Sequence, residues 1–155
     1  MRLRRCLRGL LLSAIALLFA RPTLAQWVPG GVLLSGAGGG SYVGACSDGS
    51  SGIFVAWSGG VYPDEVDFNI CLQHVLPNGV LAPGFPANGL RACSAADDEY
   101  LADVVRDGLG GWFVIWLDSR TFNLTGRHIY AQHILSDGSA APGWPANGAP
   151  ICAST

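Results

Sequence analysis

An all-β protein built from tandem copies of one unit is what the sequence predicts, and three observations carry the prediction. The chain aligns with itself without a gap when Asp48 is laid on Asp107, a shift of 59 residues. Turn-forming residues recur at fixed offsets inside each copy. No stretch after residue 25 has sustained helical periodicity.

The same shift lays Asp48-Gly49 and Gly52 on Asp107-Gly108 and Gly111, and Phe54-Val55 and Trp57 on Phe113-Val114 and Trp116. It lays Ile70, Gln73, His74 and Leu76 on Ile129, Gln132, His133 and Leu135. The run from Ala82 to Gly89 falls on the run from Ala141 to Gly148, and Cys93 falls on Cys152. Between 48–93 and 107–152, 19 of 46 positions are identical, too many for chance over a gapless stretch. A third, partial copy lies at the front, where Trp27 to Ser35 resembles Trp144 to Cys152. The organisation that follows is a signal peptide over 1–25, a partial repeat and linker over 26–47, repeat 1 over 48–94 and repeat 2 over 95–155.

Four short strands are predicted in each unit. Asp-Gly followed by a further glycine, at 48–52 and at 107–111, is hairpin-turn chemistry, because glycine accepts positive φ without a Cβ clash. Val104-Val105 leads into the second of these turns and the run Trp112 to Leu117 leaves it. A variable loop, a strand from Ile129 to Leu135 and the Asp137-Gly138 turn come next, and a last strand lies near Ala149 to Ala153. Trp112 to Leu117 is continuously apolar, which predicts a strand whose sheet is covered on both faces. Four-stranded units sandwiched between like neighbours describe propeller-type blades. A β-solenoid usually has shorter repeats, and a β-sandwich needs no internal copy. Two blades and a partial copy leave the ring incomplete, since closed propellers have roughly four to eight blades. Several chains sharing a ring, a fragment of a longer array, and an open stack that self-associates through its free blade faces are the alternatives.

The first residues read as an export signal. Arg2, Arg4, Arg5 and Arg8 precede an apolar run from Leu10 to Ala20, and Thr23-Leu24-Ala25 offers a cleavage site before Gln26. The run is shorter than the ~20 residues a spanning helix needs. Its removal leaves four arginines and no lysine against eleven acids, a net charge of −7. Nucleic-acid binding is excluded by that balance, because it depends on Lys and Arg neutralising phosphates, and attraction to an anionic membrane is disfavoured. Cys46, Cys71, Cys93 and Cys152 remain after cleavage. In an exported protein they are two disulfides of undetermined pairing or buried free thiols.

The pattern D-G-x-G-G-x-x-V-x-W-x-D-x-R … I-Y-A-Q … W-P-x-x-G … C is complete from Asp107 to Cys152, with Asp118 and Arg120 as its D-x-R. It resembles the repeats of large secreted bacterial proteins with propeller-type folds, themselves distantly similar to sialidase-type propellers. The resemblance implies a secreted or periplasmic β-propeller module and says nothing of activity. Repeat 1 departs from the pattern, with Gly59 and Val61 at the places of Asp118 and Arg120. If Asp118 and Arg120 fix the blade by an ion pair, the first blade lacks that pair. Asp48, Gly49, Trp57, Asp107, Gly108, Trp116, Asp118 and Arg120 are read as structural positions of the repeat.

Candidate sites are few. His74 and His133 each follow a glutamine in the same strand, and residues repeated in register usually serve the blade. The alternative is a ligand site repeated on each blade, with Gln73, His74, Gln132 and His133 as contacts. Residues that break the symmetry are better suspects: Arg127 and His128 stand where repeat 1 has Phe68 and Asn69. Two acidic clusters, Asp64-Glu65-Asp67 and Asp97-Asp98-Glu99 with Asp103, have oxygen ligands for Ca²⁺ but not the loop order of a known site, so a solvated acidic surface is favoured. No catalytic residues are identified: a nucleophile elbow, a zinc-ligand helix and a phosphate loop are all lacking. No cofactor is expected. The function expected is a non-catalytic, secreted module for extracellular binding or scaffolding, its partner a glycan or an extracellular protein. A multivalent carbohydrate-binding lectin and a degenerate sialidase-like glycoside hydrolase are the alternatives.

Overall fold

The computed structural model describes residues 27–35, 39–59 and 67–152. The expected signal peptide over 1–25 and the acidic residues Asp64 and Glu65 lie outside the described residues. The first sheet holds β1 (Ser41–Ser47), β2 (Ile53–Gly59), β3 (Asn69–Val75) and β4 (Leu90–Cys93), antiparallel in that order. The second holds β5 (Glu99–Arg106), β6 (Trp112–Asp118), β7 (His128–Ile134) and β8 (Ala149–Cys152), in the same order. A one-turn helix α1 (Phe122–Thr125) sits in the β6–β7 loop.

The 59-residue shift holds for the pairing as well as for the letters. Ile53 pairs with Val75 and Trp112 with Ile134; Ile70 pairs with Cys93 and Ile129 with Cys152. Gly44 pairs with Ala56 and Asp103 with Ile115, each just after an irregularity in its edge strand. Even the isolated bridges repeat, Val75 to Leu81 and Ile134 to Ala140. Because β1 pairs with β2 in the register of β5 with β6, the first sheet begins at Ser41. That is seven residues ahead of the start at Asp48 that the alignment of letters sets.

The Asp-Gly turns close as their chemistry requires. Asp48 Oδ1 accepts from the Ser50 and Gly52 amides at 2.7 and 2.8 Å, and Asp107 Oδ1 accepts from the Leu109 and Gly111 amides at the same two distances. A Cβ at Gly52 or Gly111 would strike the Val75 or Ile134 carbonyl and the aspartate itself. Only glycine lets the turn fold this tightly onto the β3 or β7 end.

The two sheets stack face to back. β2 and β3 direct Phe54, Ala56, Ile70 and Leu72 towards the second sheet, which answers with Trp112, Val114 and Trp116 from β6. The Phe54 and Trp112 rings stack at 4.1 Å, and His74 meets the Trp112 edge at 4.9 Å. Under the 59-residue shift, Trp112, Val114 and Trp116 correspond to Ile53, Val55 and Trp57, which lie on the opposite face of the first sheet. One unit's front thus meets the next unit's back, an arrangement that can propagate. The two sheets close neither a barrel nor a ring among the described residues.

Burial corrects one expectation. The run Trp112 to Leu117 of β6 is continuously apolar, yet within it only Trp112, Val114 and Trp116 are buried, while Phe113, Ile115 and Leu117 alternate with them half-buried. It is β2 that is covered on both sides, every residue from Phe54 to Gly59 being buried. On the back of the first sheet, Leu34 packs against Val55, Trp57 and Cys71.

Candidate functional site at the junction of the sheets

The repeated polar residues are held inside their own units. His74 Nε2 lies 3.1 Å from Asp48 Oδ2 and His133 Nε2 lies 2.8 Å from Asp107 Oδ2, so each histidine ties its strand to the turn of the neighbouring hairpin. Gln73 Nε2 donates to the Pro86 carbonyl at 2.7 Å, and its Oε1 accepts from the His74 amide at 3.1 Å. Gln132 does the same with Pro145 and His133 at 2.7 and 3.1 Å. Both glutamines are buried and staple the Pro-Gly-x-Pro loop to the third strand. Burial opposes ionisation of Asp48, but the Ser50 amide, His74, the Ser50 hydroxyl and the Gly52 amide outweigh it and bring its pKa to about 2. His133, then the Leu109 amide, bring Asp107 to about 2 as well. This arrangement gives the repeated Gln-His pair a structural role and leaves the ligand-contact alternative without a free glutamine edge.

A second polar cluster joins the sheets, built by the second unit's Glu99, Asp118 and Arg120 around the first unit's Cys93. Asp118, at the end of β6, accepts from Trp116 Nε1 at 2.9 Å and from Arg120 Nε and Nη2 at 2.7 and 2.6 Å. Arg120 Nη2 also donates to the Asn147 carbonyl at 2.9 Å and reaches Cys93 Sγ, at the end of β4, at 3.5 Å. Asp118 and Arg120 thus form an ion pair, and through Cys93 it clasps unit 2 to the tail of unit 1. Glu99, at the start of β5, is buried against this group with neither carboxylate oxygen hydrogen-bonded. Burial, reinforced by Asp118 and opposed by Arg120, raises its pKa to about 8. Burial also pushes Cys93 up to about 12, so it is a thiol rather than a thiolate.

Two chemistries could be read into this cluster. Ligand atoms of Cys93, Glu99 and Asp118 all lie within 4.8 Å of one another, a donor set for a metal. The Arg120 guanidinium occupies both Asp118 oxygens and approaches the sulfur, so the balancing positive charge is the protein's own. Two carboxyls with pKa values driven apart also suit an acid–base pair of a glycosidase. Here both are fully buried, Glu99 at 0% and Asp118 at 1% exposure, and no substrate can reach them. The cluster is a clasp.

The open site lies just beyond it, where the loops at one end of both sheets meet. A cleft of about 160 Å³ is lined by Asp67, Asp97, Asp98, Ser119, Asn123 and Arg127, with Phe122 at its side. Ser119 donates its amide to the Asp98 carbonyl, and Asp98 accepts from the Phe68 amide at 3.0 Å and the Tyr100 hydroxyl at 2.8 Å. Arg127 Nε donates to Ser119 Oγ at 3.2 Å, with its guanidinium 5.0 Å from Phe122 and 5.2 Å from Tyr100. A ligand pocket typically holds ~300–1,000 Å³, so this is a surface subsite rather than an enclosed active site. His128 turns away from it: Nε2 meets Thr125 Oγ1 at 2.7 Å and Nδ1 the Cys152 carbonyl at 3.3 Å.

The sequence-level suspects therefore divide. Arg127 lines the cleft and also borders a separate hollow on the outer face of the second sheet, whereas His128 borders that hollow alone. Of the second acidic cluster, Asp97 and Asp98 line the cleft, Glu99 turns inward, and Asp103 stands exposed on β5. Four residues so dispersed offer no common cation site. Cys46, Cys71, Cys93 and Cys152 are free thiols, so no disulfide framework links the described residues. Sequence reasoning missed the Glu99–Cys93 meeting; the signal was present, since Glu99 stands where repeat 1 has Gly40. Comparison with protein-family models, with curated proteins and with solved structures finds no match for this chain.

Proposed function

We propose that this chain is a secreted, non-catalytic repeat module of the β-propeller type, serving extracellular binding or scaffolding. The observation that carries the reading is the fate of its polar residues. Those that repeat are consumed by hydrogen bonds within their own unit, and the carboxyl pair with divergent pKa values is sealed from solvent. Front-to-back stacking with a constant register supports the propeller part, because it is how like blades add to one another. Incubation of the purified chain with sialosides and related glycosides tests it: no turnover is expected, and measurable hydrolysis would overturn the non-catalytic reading. Export is tested separately by N-terminal sequencing of the secreted chain, which should begin at Gln26.

One observation favours a lectin as the second reading. The cleft combines carboxylates, an amide and a guanidinium with the exposed ring of Phe122, the mixture that holds sugar hydroxyls and an apolar sugar face. A glycan array decides it. Loss of any array signal in Arg127→Ala would place the sugar in this cleft, and an array with no binding at all sinks the lectin reading.

A further inference from the structure

The first sheet holds a filled version of each position that the second leaves open. Phe54, Ala56, Ser58 and Ile70 are fully buried beneath the second sheet. Their counterparts Phe113, Ile115 and Leu117 are half-exposed, and Ile129 is 42% exposed. At the edge, Cys93 is buried and Cys152 exposed, while Ala92 is buried and Ile151 is 60% exposed. The exposed set is the more apolar one. Ala56, Ser58 and Ala92 become Ile115, Leu117 and Ile151, the reverse of what a solvent-facing sheet calls for.

The hollow on this face identifies its occupant. Leu117, Arg127, His128, Ile129 and Cys152 line about 350 Å³ of open space, together with Thr125. The corresponding residues of the first sheet, Ser58, Phe68, Asn69, Ile70 and Cys93, form a socket filled by the next unit. There the Ser58 hydroxyl accepts from the Leu101 amide at 2.6 Å, the Phe68 carbonyl accepts from the Glu99 amide at 2.8 Å, and Arg120 reaches Cys93. The hollow is that socket without its plug, and the plug is the back of another unit of this kind.

We infer that the outer face of the second sheet is a docking surface for the first sheet of a second copy of this chain, seated as the second sheet sits on the first within one chain. Ile53 of the arriving copy then lies on Phe113 as Trp112 lies on Phe54, and its Ser41-Tyr42 edge enters the hollow as Tyr100-Leu101 enters the filled socket. This rests on the repeat-module reading.

The N-terminal segment gates the contact. Val32 lies against the Gly79 turn as Leu90 lies against the equivalent Gly138 turn, and Leu34 packs on Val55, Trp57 and Cys71. The Gly31 amide donates to the Val28 carbonyl at 3.0 Å, the turn that Gly89 and Gly148 make with Pro86 and Pro145. Residues 27–35 therefore occupy, on the back of the first sheet, the place that unit 1's own tail takes on the second. When the arriving copy's first sheet docks, β8 of the receiving copy comes to that place, so docking displaces the arriving copy's segment. The segment has little to lose on leaving: Trp27, Val28 and Leu33 are 42%, 49% and 80% exposed, and it pairs with no strand.

Sedimentation equilibrium of the purified full chain over a concentration series tests this. The mass should rise with concentration above that of one chain. Leu117→Asp and Ile129→Asp should hold it at one chain, with an unchanged circular dichroism spectrum showing that the fold persists. Leu34→Asp should lower the dissociation constant roughly tenfold, by freeing a face the segment occupies most of the time. A one-chain mass at every concentration, in the natural sequence and in Leu34→Asp alike, overturns the inference. So does association that Leu34→Asp leaves unchanged, since two outer faces pairing with each other would ignore the segment. Neither failure touches the non-catalytic reading, which turnover decides.

Discussion

Two sheets of the same order and register differ most in their cover: the first is covered on both faces and the second on one. Phe54 and Phe113 occupy the same pleat, next to His74 and His133 and after the same Asp-Gly turn. One is at 0% exposure under the Trp112 ring, and the other is half-exposed, meeting only rings of its own unit, His133 at 4.4 Å and Trp144 at 5.9 Å. Local sequence makes the strand and neighbouring units make the core. The comparison separates what a unit does for itself from what it needs from a neighbour.

The largest expected effect breaks this pair. Phe54→Ala should cost about 3–5 kcal/mol in urea unfolding, because it empties a site walled by both sheets, whereas Phe113→Ala should cost about 1 kcal/mol at low protein concentration. Equal costs would mean that the outer face of the second sheet is not open. Arg120→Ala comes next. It strands a buried Asp118 carboxylate and should cost roughly 3 kcal/mol, an effect with no counterpart in the first sheet, where Gly59 stands.

Glu99 gives a smaller, pH-dependent effect. Its folded pKa of about 8 exceeds its ordinary 4.5, so the folded chain holds a proton that the unfolded chain releases. The Glu99 contribution to stability is then full below pH 4.5 and is lost as pH rises through about 8. Glu99→Gln, which keeps the neutral shape, should flatten that decline and gain on the order of 2 kcal/mol at pH 9; an unchanged pH profile would remove Glu99 from the clasp. The turn aspartates run the other way. Asp48 and Asp107 titrate near 2 in the folded chain, below the usual 3.8, so their contribution is lost as pH falls from about 4 through 2. Asp48→Asn should shrink that acid-dependent loss by a detectable margin, and so should Asp107→Asn, since both units use the same turn.

Much of the fold was legible because the signals were local. Asp48-Gly49-Ser50-Ser51-Gly52 specifies a turn whichever unit follows, and Trp112 to Leu117 reads as strand from its residues alone. The start of the first sheet at Ser41 was hidden, because β1 and β5 share a register but almost no letters. Ser41 lies where Tyr100 lies, and Gly44 where Asp103 lies. Edge strands of this kind are fixed by pairing rather than by side-chain pattern. The apolar run in β6 predicted cover on both faces, and one of those faces is half-exposed among the described residues, since burial depends on what packs against a strand as well as on its own letters. For the candidate site, asymmetry between the copies was the useful signal. Arg127 lines the cleft, and Asp118 with Arg120 forms the clasp. The repeated Gln73, His74, Gln132 and His133 turn to internal bonds, as residues do when every unit needs them.

The comparison between the sheets is tested most directly by hydroxyl-radical footprinting of the purified chain, read by mass spectrometry at low and at high protein concentration. Phe54 and Ile70 should stay unlabelled throughout, while Phe113, Ile129 and Ile151 should label strongly when dilute and become protected as concentration rises. Equal labelling of Phe54 and Phe113 in dilute solution would contradict the account at its root.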